Sequence, residues 1–282
     1  MKIYRYLPLF LLLTVQSVCG MTIIKFEPAI LEVDYVKHIV LDTINPQEDY
    51  CNTIMTLRIG RNTSAFFSPK KVWQDSLMHF NFDLEYQLHR KALAKGISSI
   101  GGREKERVYK NHPTGNITVT NNFSMSHWIY TELWEKPEWE LTDSVAIHMG
   151  FRCQLAKSVY RGRVWFALFT DELPFSDGPW KLSGLPGLIL KAWDIKGHYS
   201  FEAIGLRTEN LQDVGIYNYL GFDFLMTSRD KYYEEWYKAL HEDMGYKIAQ
   251  SGAFGVKPES VPAPRKLPHR NFDFEEINYN HN

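Results

Sequence analysis

The segment DGPWKLSGLPGLIL, residues 177–190, decides the fold of this chain. Glycine and proline recur along it, whereas it ends in an unbroken aliphatic run. Pro186 fixes φ at the second position of a turn, and Gly187 can adopt positive φ at the third, which together predict a type II turn. The pair Gly178 and Pro179 predicts an earlier bend. The segment therefore predicts a turn that enters a β-strand.

Strand patterns on both sides of this segment extend the prediction to a meandering sheet. Residues 188–195 and 198–206 are apolar and flank Lys196 and Gly197, and a two-residue link ending in glycine is a strong hairpin signal. Further short strands are predicted at residues 30–41, 51–59, 107–110, 116–120, 126–134, 146–156 and 162–170. Consecutive short strands without intervening helices favour antiparallel pairing.

In two stretches the apolar residues recur at the spacing of a helix. Residues 70–95 predict a helix that Gly96 ends, although Phe80 and Phe82 also alternate as in a strand. Residues 228–244 predict an amphipathic helix that packs on the sheet. Its apolar face comprises Tyr233, Trp236, Tyr237, Leu240 and Met244. Thr227 and Asp230 match a capping box at its start.

The expected fold is therefore mainly β with some α, an α+β class. We expect an antiparallel, meandering, curved sheet packed against the C-terminal amphipathic helix, by analogy with a half-barrel. This β-rich unit is a single domain over residues 21–250. Residues 251–282 contain four closely spaced prolines and predict an extended tail.

Residues 1–20 have the layout of a secretory signal peptide. Lys2 and Arg5 form a positive end, and a short apolar run follows before Gly20, where cleavage is expected. The run is too short to span a bilayer, which needs about 20 residues, so no transmembrane segment is expected in the mature chain. Lipid attachment at Cys19 is the alternative to cleavage after Gly20.

Cleavage would leave two cysteines, Cys51 and Cys153. Two cysteines in an exported chain predict one disulfide. The alternative is two separate, unpaired thiols.

Composition and motifs exclude several functional classes. The net charge of −1 gives no basic bias, so nucleic-acid binding is not expected. The histidines show no metal-site spacing, and no G-x-S-x-G elbow or nucleotide-binding glycine loop occurs. We therefore expect no metal and no cofactor, and the oligomeric state stays open.

The string Gly184-Leu185-Pro186-Gly187-Leu188-Ile189, with the blocks around it, resembles the GLPGLI family. The surrounding blocks are Cys153-Gln154 with Ala156, Arg161-Gly162-Arg163, Trp165, Asp171 to Pro174, and Asp177-Gly178-Pro179-Trp180-Lys181. The resemblance covers residues 50–206. It implies an exported protein in the periplasm or at the outer-membrane periphery of a Gram-negative bacterium, and it implies no particular reaction.

Two functional classes remain open. The first is a non-enzymatic binding or accessory module for an apolar or peptide ligand, or for an envelope partner, with Trp180, Trp193 and Asp177 forming a binding edge beside the turn. The alternative is a hydrolase with an acidic site at Asp171, Glu172 and Asp177, because paired carboxylates can perform acid–base chemistry.

Overall fold

The structure, a computed structural model, describes residues 20–97, 99–241, 243–250 and 272–279. The strands, in chain order, are β1 (Thr22–Glu27), β2 (Leu31–Val40), β3 (Tyr50–Ile59), β4 (Ser64–Phe67), β5 (Arg107–Lys110), β6 (Asn116–Phe123), β7 (Ser126–Leu133), β8 (Glu140–His148), β9 (Phe151–Tyr160), β10 (Arg163–Thr170), β11 (Leu188–Asp194), β12 (Tyr199–Arg207), β13 (Val214–Asn218) and β14 (Phe224–Met226). The helices are α1 (Pro69–Phe80), α2 (Phe82–Leu93), α3 (Arg229–His241) and α4 (Met244–Gln250). Residues 1–19 of the predicted signal peptide, with Cys19, and residues 251–271 of the predicted tail lie outside the described residues.

Twelve of the strands form one sheet in the order β14-β7-β6-β5-β4-β3-β2-β12-β11-β10-β9-β8, and β1 pairs with β13. Every pairing is antiparallel except that of β14 with β7. The mainly β, α+β class and the antiparallel sheet are thus confirmed. Most neighbours in the sheet are also neighbours in sequence, as expected for a meander, and β2 is inserted between β3 and β12.

The hairpins follow from residues that tolerate positive φ. The predicted β11–β12 hairpin is confirmed, with Gly197 at φ 71° in its turn. The single strand predicted over residues 146–156 is wrong, because β8 and β9 turn at Met149 and Gly150. Both turn residues have positive φ, at 50° and 86°, as a two-residue type I′ turn requires.

The helix predicted over residues 70–95 is two helices. Ser68 caps α1 by accepting from the backbone N–H of Lys71 (3.3 Å), and Asn81 caps α2 by accepting from that of Leu84 (3.1 Å). Asn81 separates the helices because it is the residue at which α1 ends and its side chain caps the start of α2.

Helix α3 confirms the predicted C-terminal helix, with a different cap and a shifted face. Ser228, not Thr227, provides the cap, because its Oγ accepts from Lys231 N (3.3 Å). The buried face begins at Tyr232 and Tyr233 rather than at Tyr233 alone. No described helix has the length and apolar character needed to cross a membrane.

Segment 177–190 is buried in the main hydrophobic core. Leu182, Leu185 and Leu188 are at most 1% exposed. The predicted type II turn with positive φ at Gly187 is wrong, because Gly184 has the positive φ, 94°. Gly187 is needed for another reason: a Cβ there would lie 2.1 Å from the carbonyl oxygen of Thr170.

Gly187→Ala is therefore expected to destabilise the fold even though alanine tolerates ordinary φ values. The added methyl would push into the backbone of Thr170, and overpacking of this kind costs about 3 kcal/mol at the upper end of its range. The measurement is the free energy of unfolding in urea. Gly205→Ala is the matched control, because a Cβ there meets nothing within 4 Å. Equal stability of the two variants would contradict the close approach.

Candidate ligand-binding cavity

The two tryptophans predicted to form a binding edge lie on opposite faces of the sheet. Trp180 is 1% exposed and packs on Trp165, with ring centroids 5.8 Å apart. Trp193 pairs across strands with Phe166, which follows Trp165 on β10, and the two rings stack with centroids 5.7 Å apart. Successive side chains on a strand leave on opposite faces. The predicted edge is therefore wrong: Trp180 belongs to the core, and Trp193 stays half-buried outside it.

Asp177 is buried rather than solvated. It forms an ion pair with the fully buried Lys110, which also donates to the carbonyl oxygens of Gly178 (2.6 Å) and Leu182 (3.5 Å). An antiparallel bridge between Asp177 and Ser183 closes the loop around this ammonium group. Lys110 thus satisfies backbone carbonyls that have no strand partner, which makes the loop a structural unit.

The predicted acidic hydrolase site does not assemble. Asp171 and Glu172 are exposed, whereas Asp177 is buried against Lys110. Glu172 instead accepts from the backbone N–H of Arg152 (2.9 Å). These three carboxylates therefore occupy different environments, and acid–base chemistry shared between them has no geometric support.

The predicted disulfide between Cys51 and Cys153 is wrong, because both are free thiols. Cys51 lies on β3 and Cys153 on β9, with four strands between them in the sheet. Neighbouring strands are about 4.8 Å apart, whereas a disulfide needs Cα atoms within about 7 Å. The two cysteines are therefore too far apart across the sheet to form a disulfide.

Residues 272–279, here called the C-terminal segment, pack into the core without forming a helix or strand. Phe274 is 1% exposed, and its carbonyl oxygen accepts from Arg163 Nε (3.0 Å). Asp273 accepts through its backbone oxygen from Tyr199 Oη (2.6 Å). This part of the predicted tail is therefore part of the folded unit.

Acidic side chains of the C-terminal segment meet buried cations. Glu276 is fully buried and forms ion pairs with Lys181 and Arg229, and Lys181 also pairs with Glu132 (2.5 Å). Burial raises the pKa of Glu276, but the cations outweigh it and the pKa is lowered. Burial lowers the pKa of Lys181, but its carboxylate neighbours outweigh it and the pKa is raised well above the ordinary value. Glu276 and Lys181 therefore stay charged in the interior.

A second buried ion cluster surrounds Lys37. Its Nζ contacts Glu104 (2.7 Å) and Glu275 (2.5 Å), and all three side chains are less than a tenth exposed. Burial lowers the pKa of Lys37, but the carboxylates outweigh it and the pKa is raised. Lys37 therefore stays an ammonium group at physiological pH.

A cavity of about 370 Å³ opens beside Lys37. Its apolar lining comes from β2 and the residue after it, from α3 and from the C-terminal segment. It consists of Ile39, Leu41, Trp236, Leu240 and Phe272. Its polar lining consists of Lys37, Cys51, Thr53, Arg103, Glu104, Tyr199 and Glu275. Strand β2 crosses the floor, with Ile39 directly between Cys51 on β3 and Tyr199 on β12. Sheet, helix and C-terminal segment thus build one concave site.

Arg103 is the exposed cation of this cavity. Within the described part of the chain, no carboxylate lies at ion-pair distance from its guanidinium, whereas Lys37 is neutralised by two. Arg103 is therefore the lining group that is open to an added acid.

Glu106 lies between the two ion clusters and forms no ion pair of its own among the described residues. Tyr232 Oη donates to it (2.8 Å) and accepts from Asn121 Nδ2 (2.8 Å). Burial, followed by repulsion from Glu275, raises the pKa of Glu106 to about 8. At neutral pH this side chain is mainly protonated.

The reactive side chains of the cavity lining are Glu104, Glu275 and Cys51. Glu104 and Glu275 are both engaged by Lys37, and histidine is absent from the described lining. Cys51 has only a backbone oxygen and the Thr53 hydroxyl as partners, at 3.9 and 3.6 Å. A nucleophile needs an adjacent base, and Cys51 has none among the residues that the structure describes. Likewise, no cluster of three or more metal-ligating side chains occurs in the residues described.

Sequence reasoning missed this cavity because its lining is scattered along the chain. Ile39 and Cys51 lie in strands that were predicted, and their alternation places them on the inner face. Phe272 and Glu275 lie in a tail whose prolines suggest no packed structure. The one available signal was the density of aromatic and acidic residues after Arg270, in "NFDFEEINY".

No family model and no curated protein matches this chain. Two crystal structures of PNGF-II, in space groups P21 and C2, align with it at a TM-score of 0.48 and 14% sequence identity. Each alignment covers 74% of this chain and 33% of the PNGF-II chain. The chain thus spans about a third of the length of these solved structures, and a likeness of this degree carries no functional argument.

Lys181→Met is expected to lower the free energy of unfolding by about 3–5 kcal/mol, because it leaves Glu276 and Glu132 with an excess of buried negative charge. Lys191→Met is the matched control. Lys191 pairs with Glu202 at the surface, with both side chains at least a third exposed, and such pairs contribute about 0–1 kcal/mol. Urea unfolding measures both. A loss at Lys181 no larger than at Lys191 would contradict the buried network.

Glu106→Gln is expected to become more stable relative to the native chain as pH rises. The folded protein holds this proton up to about pH 8, whereas an ordinary glutamate releases it near 4.5. Native stability therefore falls between these values, with a slope of up to about 1.4 kcal/mol per pH unit. Glutamine keeps an acceptor for Tyr232 and does not ionise.

Urea unfolding at pH 5 and pH 8 tests this expectation. Glu135→Gln, at a side chain that is 70% exposed, is the control whose effect should be the same at both values. A stability difference for Glu106→Gln that does not change with pH would show that Glu106 is ionised throughout.

Proposed function

We propose that this chain is an exported, non-enzymatic binding protein that holds an apolar or peptide ligand in the cavity beside Lys37. The observation that carries the proposal is the cavity itself. Its volume of about 370 Å³ falls within the range of about 300–1,000 Å³ typical of small-molecule sites. Such sites usually combine apolar walls with placed polar groups, and this cavity combines aromatic and aliphatic side chains with a set of polar ones.

The lining favours a ligand with an apolar body. Trp236, Leu240 and Phe272 are half-buried, so a ligand that covers them removes apolar surface from water. This burial is favourable by about 25 cal/mol per Å². Lys37 contributes no net attraction for an anion, because Glu104 and Glu275 already neutralise it.

Arg103 favours a carboxylate at the other end of the ligand. Its guanidinium can form two parallel hydrogen bonds with a carboxylate, a geometry that a point charge does not offer. A fatty acid or a peptide with a free C-terminus has both the apolar body and the acidic end. We therefore assign the ligand class as an apolar acid.

Export, the Gram-negative envelope location and membership of the GLPGLI family are parts of the same proposal. They are supported by the layout of residues 1–20 and by the motif at residues 184–189. A sheet curved like a half-barrel around α3 is also proposed, and contact between α3 and β7 supports it.

Cys51 provides a direct assay of cavity occupancy. Its thiol lines the cavity and is partly exposed, whereas Cys153 is fully buried. Decanoic acid is expected to slow maleimide labelling of Cys51 in a saturable way, and decan-1-ol to protect more weakly. Peptide mapping by mass spectrometry identifies the labelled cysteine, with Cys153 as the internal reference.

Two variants sharpen the assay. Leu240→Asp is expected to weaken protection by at least about tenfold, since it replaces apolar lining, and Arg103→Gln is expected to remove the preference for the acid. Leu93→Asp, at an exposed leucine outside the cavity, is the matched control and should bind normally. Labelling of Cys51 at the same rate with and without either probe would contradict the proposed function.

A further inference from the structure

A second concave site lies away from the cavity, between α1, strands β5 to β7 and the chain that links β13 to β14. We call it the basic pocket. It is lined by Lys71, Asp75, Lys105, Arg107, Thr120, Asn121, Asn122, His127, Tyr217, Asn218, Tyr219, Leu220, Phe222 and Phe224. Its volume is about 60 Å³, and because a water molecule takes about 30 Å³ of liquid, the space suits one small group.

Cations outnumber acids in this pocket. Asp75 is its one described carboxylate, and it is shared by Lys71 (2.7 Å) and Arg107 (2.6 Å). Lys105 has no hydrogen-bond or ion-pair partner among the described residues. With His127 neutral, three cations and one anion leave a formal charge of +2. The protein therefore brings positive charges together without supplying the acid that would neutralise them.

The titration of the lining groups agrees with this charge count. Burial, followed by repulsion from Lys71, lowers the pKa of Lys105. Burial also lowers the pKa of His127. Asp75 opposes this shift, whereas Lys71, Lys105 and Arg107 add to it. An anion in the pocket would relieve both effects, because it favours the charged forms.

Unused donors converge on the space. Lys105 has all three ammonium N–H groups available. Arg107 donates to Asp75 and to the carbonyl oxygen of Tyr217 (2.9 Å), which leaves part of its five-donor guanidinium open. The amides of Asn121 and Asn218 are instead engaged with Tyr232 Oη and with the Phe222 carbonyl. Charged rather than neutral donors would therefore recognise the ligand.

Exposed apolar side chains border the same pocket. Phe222 is 39% exposed and stacks on His127 at 3.9 Å, and Phe80 is 68% exposed and contacts the ring of Tyr219 at 5.9 Å. Met226, which follows on β14, is 90% exposed. On membrane-binding surfaces, cations contact phospholipid headgroups while neighbouring aromatic side chains insert among the acyl chains, and this pocket has both kinds of side chain.

We propose that the basic pocket binds a single phosphate-class oxyanion, held by Lys105, Lys71 and Arg107. Its net positive charge and unpartnered lysine select an anion, and its size limits that anion to one tetrahedral group. A free phosphate and the phosphodiester of a lipid headgroup present this same chemistry. The exposed Phe80 and Phe222 are the features that would distinguish a lipid from a free ion.

The first experiment titrates the full chain with inorganic phosphate at constant ionic strength, against sodium chloride. The His127 ring resonances in NMR are the readout, and their pKa is expected to rise as phosphate saturates the pocket. Lys105→Gln is expected to weaken phosphate binding about tenfold, the loss of one charge-assisted hydrogen bond. Lys157→Gln, at an exposed lysine on β9, is the matched control and should bind as the native chain does.

The second experiment identifies the source of the oxyanion. Flotation with phosphatidylglycerol vesicles, against phosphatidylcholine vesicles, measures recruitment. If a lipid headgroup is the ligand, Lys105→Gln and Phe80→Ser both reduce recruitment, and Phe80→Ser leaves phosphate binding unchanged. If free phosphate is the ligand, phosphate saturates the pocket and the vesicles do not recruit the chain.

The proposal is overturned if neither probe gives saturable binding, or if Lys105→Gln binds each as tightly as Lys157→Gln does. Lys105 makes no hydrogen bond or ion pair within the part of the chain that the structure describes, so its replacement leaves the fold intact, and circular dichroism verifies this. The Cys51 labelling assay reports on the other cavity, so failure of one site is distinguishable from failure of the other.

Discussion

The buried ion pair between Lys181 and Glu276 is the interaction on which the rest of the structure depends. Neither side chain has exposed surface, and taking two charges out of water costs several kcal/mol per ion. Glu132 and Arg229 complete the pairing, so the charges are satisfied only when loop and C-terminal segment are both in place. That segment also supplies Phe272 and Glu275 to the cavity. The ion pair therefore helps to hold the residues that complete the cavity.

Buried lysines replace regular secondary structure where the chain is irregular. The loop that follows Asp177 has few strand partners, and Lys110 occupies its centre as a donor to its carbonyl oxygens. The C-terminal segment also makes few backbone hydrogen bonds, and Lys37 and Lys181 hold its two consecutive glutamates. A hydrophobic core alone would not fix either segment in one register, because apolar packing is non-directional. Hydrogen bonds that involve charged groups are directional and can fix the register of these segments.

Local patterns predicted most strands and both helical regions, because alternation, capping and turn residues act over a few positions. The β8–β9 hairpin was missed because Met149 is an unusual residue for positive φ. Positive φ was predicted at Gly187 instead of Gly184, because the close approach of Gly187 to Thr170, on a strand earlier in the chain, leaves no local signal. Trp180 looked like a surface residue for the same reason. The partner of Lys181 lies 95 residues later, so no sequence window contains both.

Tyr232 connects the two candidate sites physically. Its hydroxyl accepts from Asn121, which lines the basic pocket, and donates to Glu106, which is repelled by Glu275 of the cavity. Asn121, Tyr232 and Glu106 are each hydrogen-bonded along this chain of contacts, and satisfied buried networks of this kind rigidify a core. The protonated Glu106 adds no charge between the two ion clusters at neutral pH. The hydrogen bonds through Tyr232 thus hold the walls of both sites in one frame.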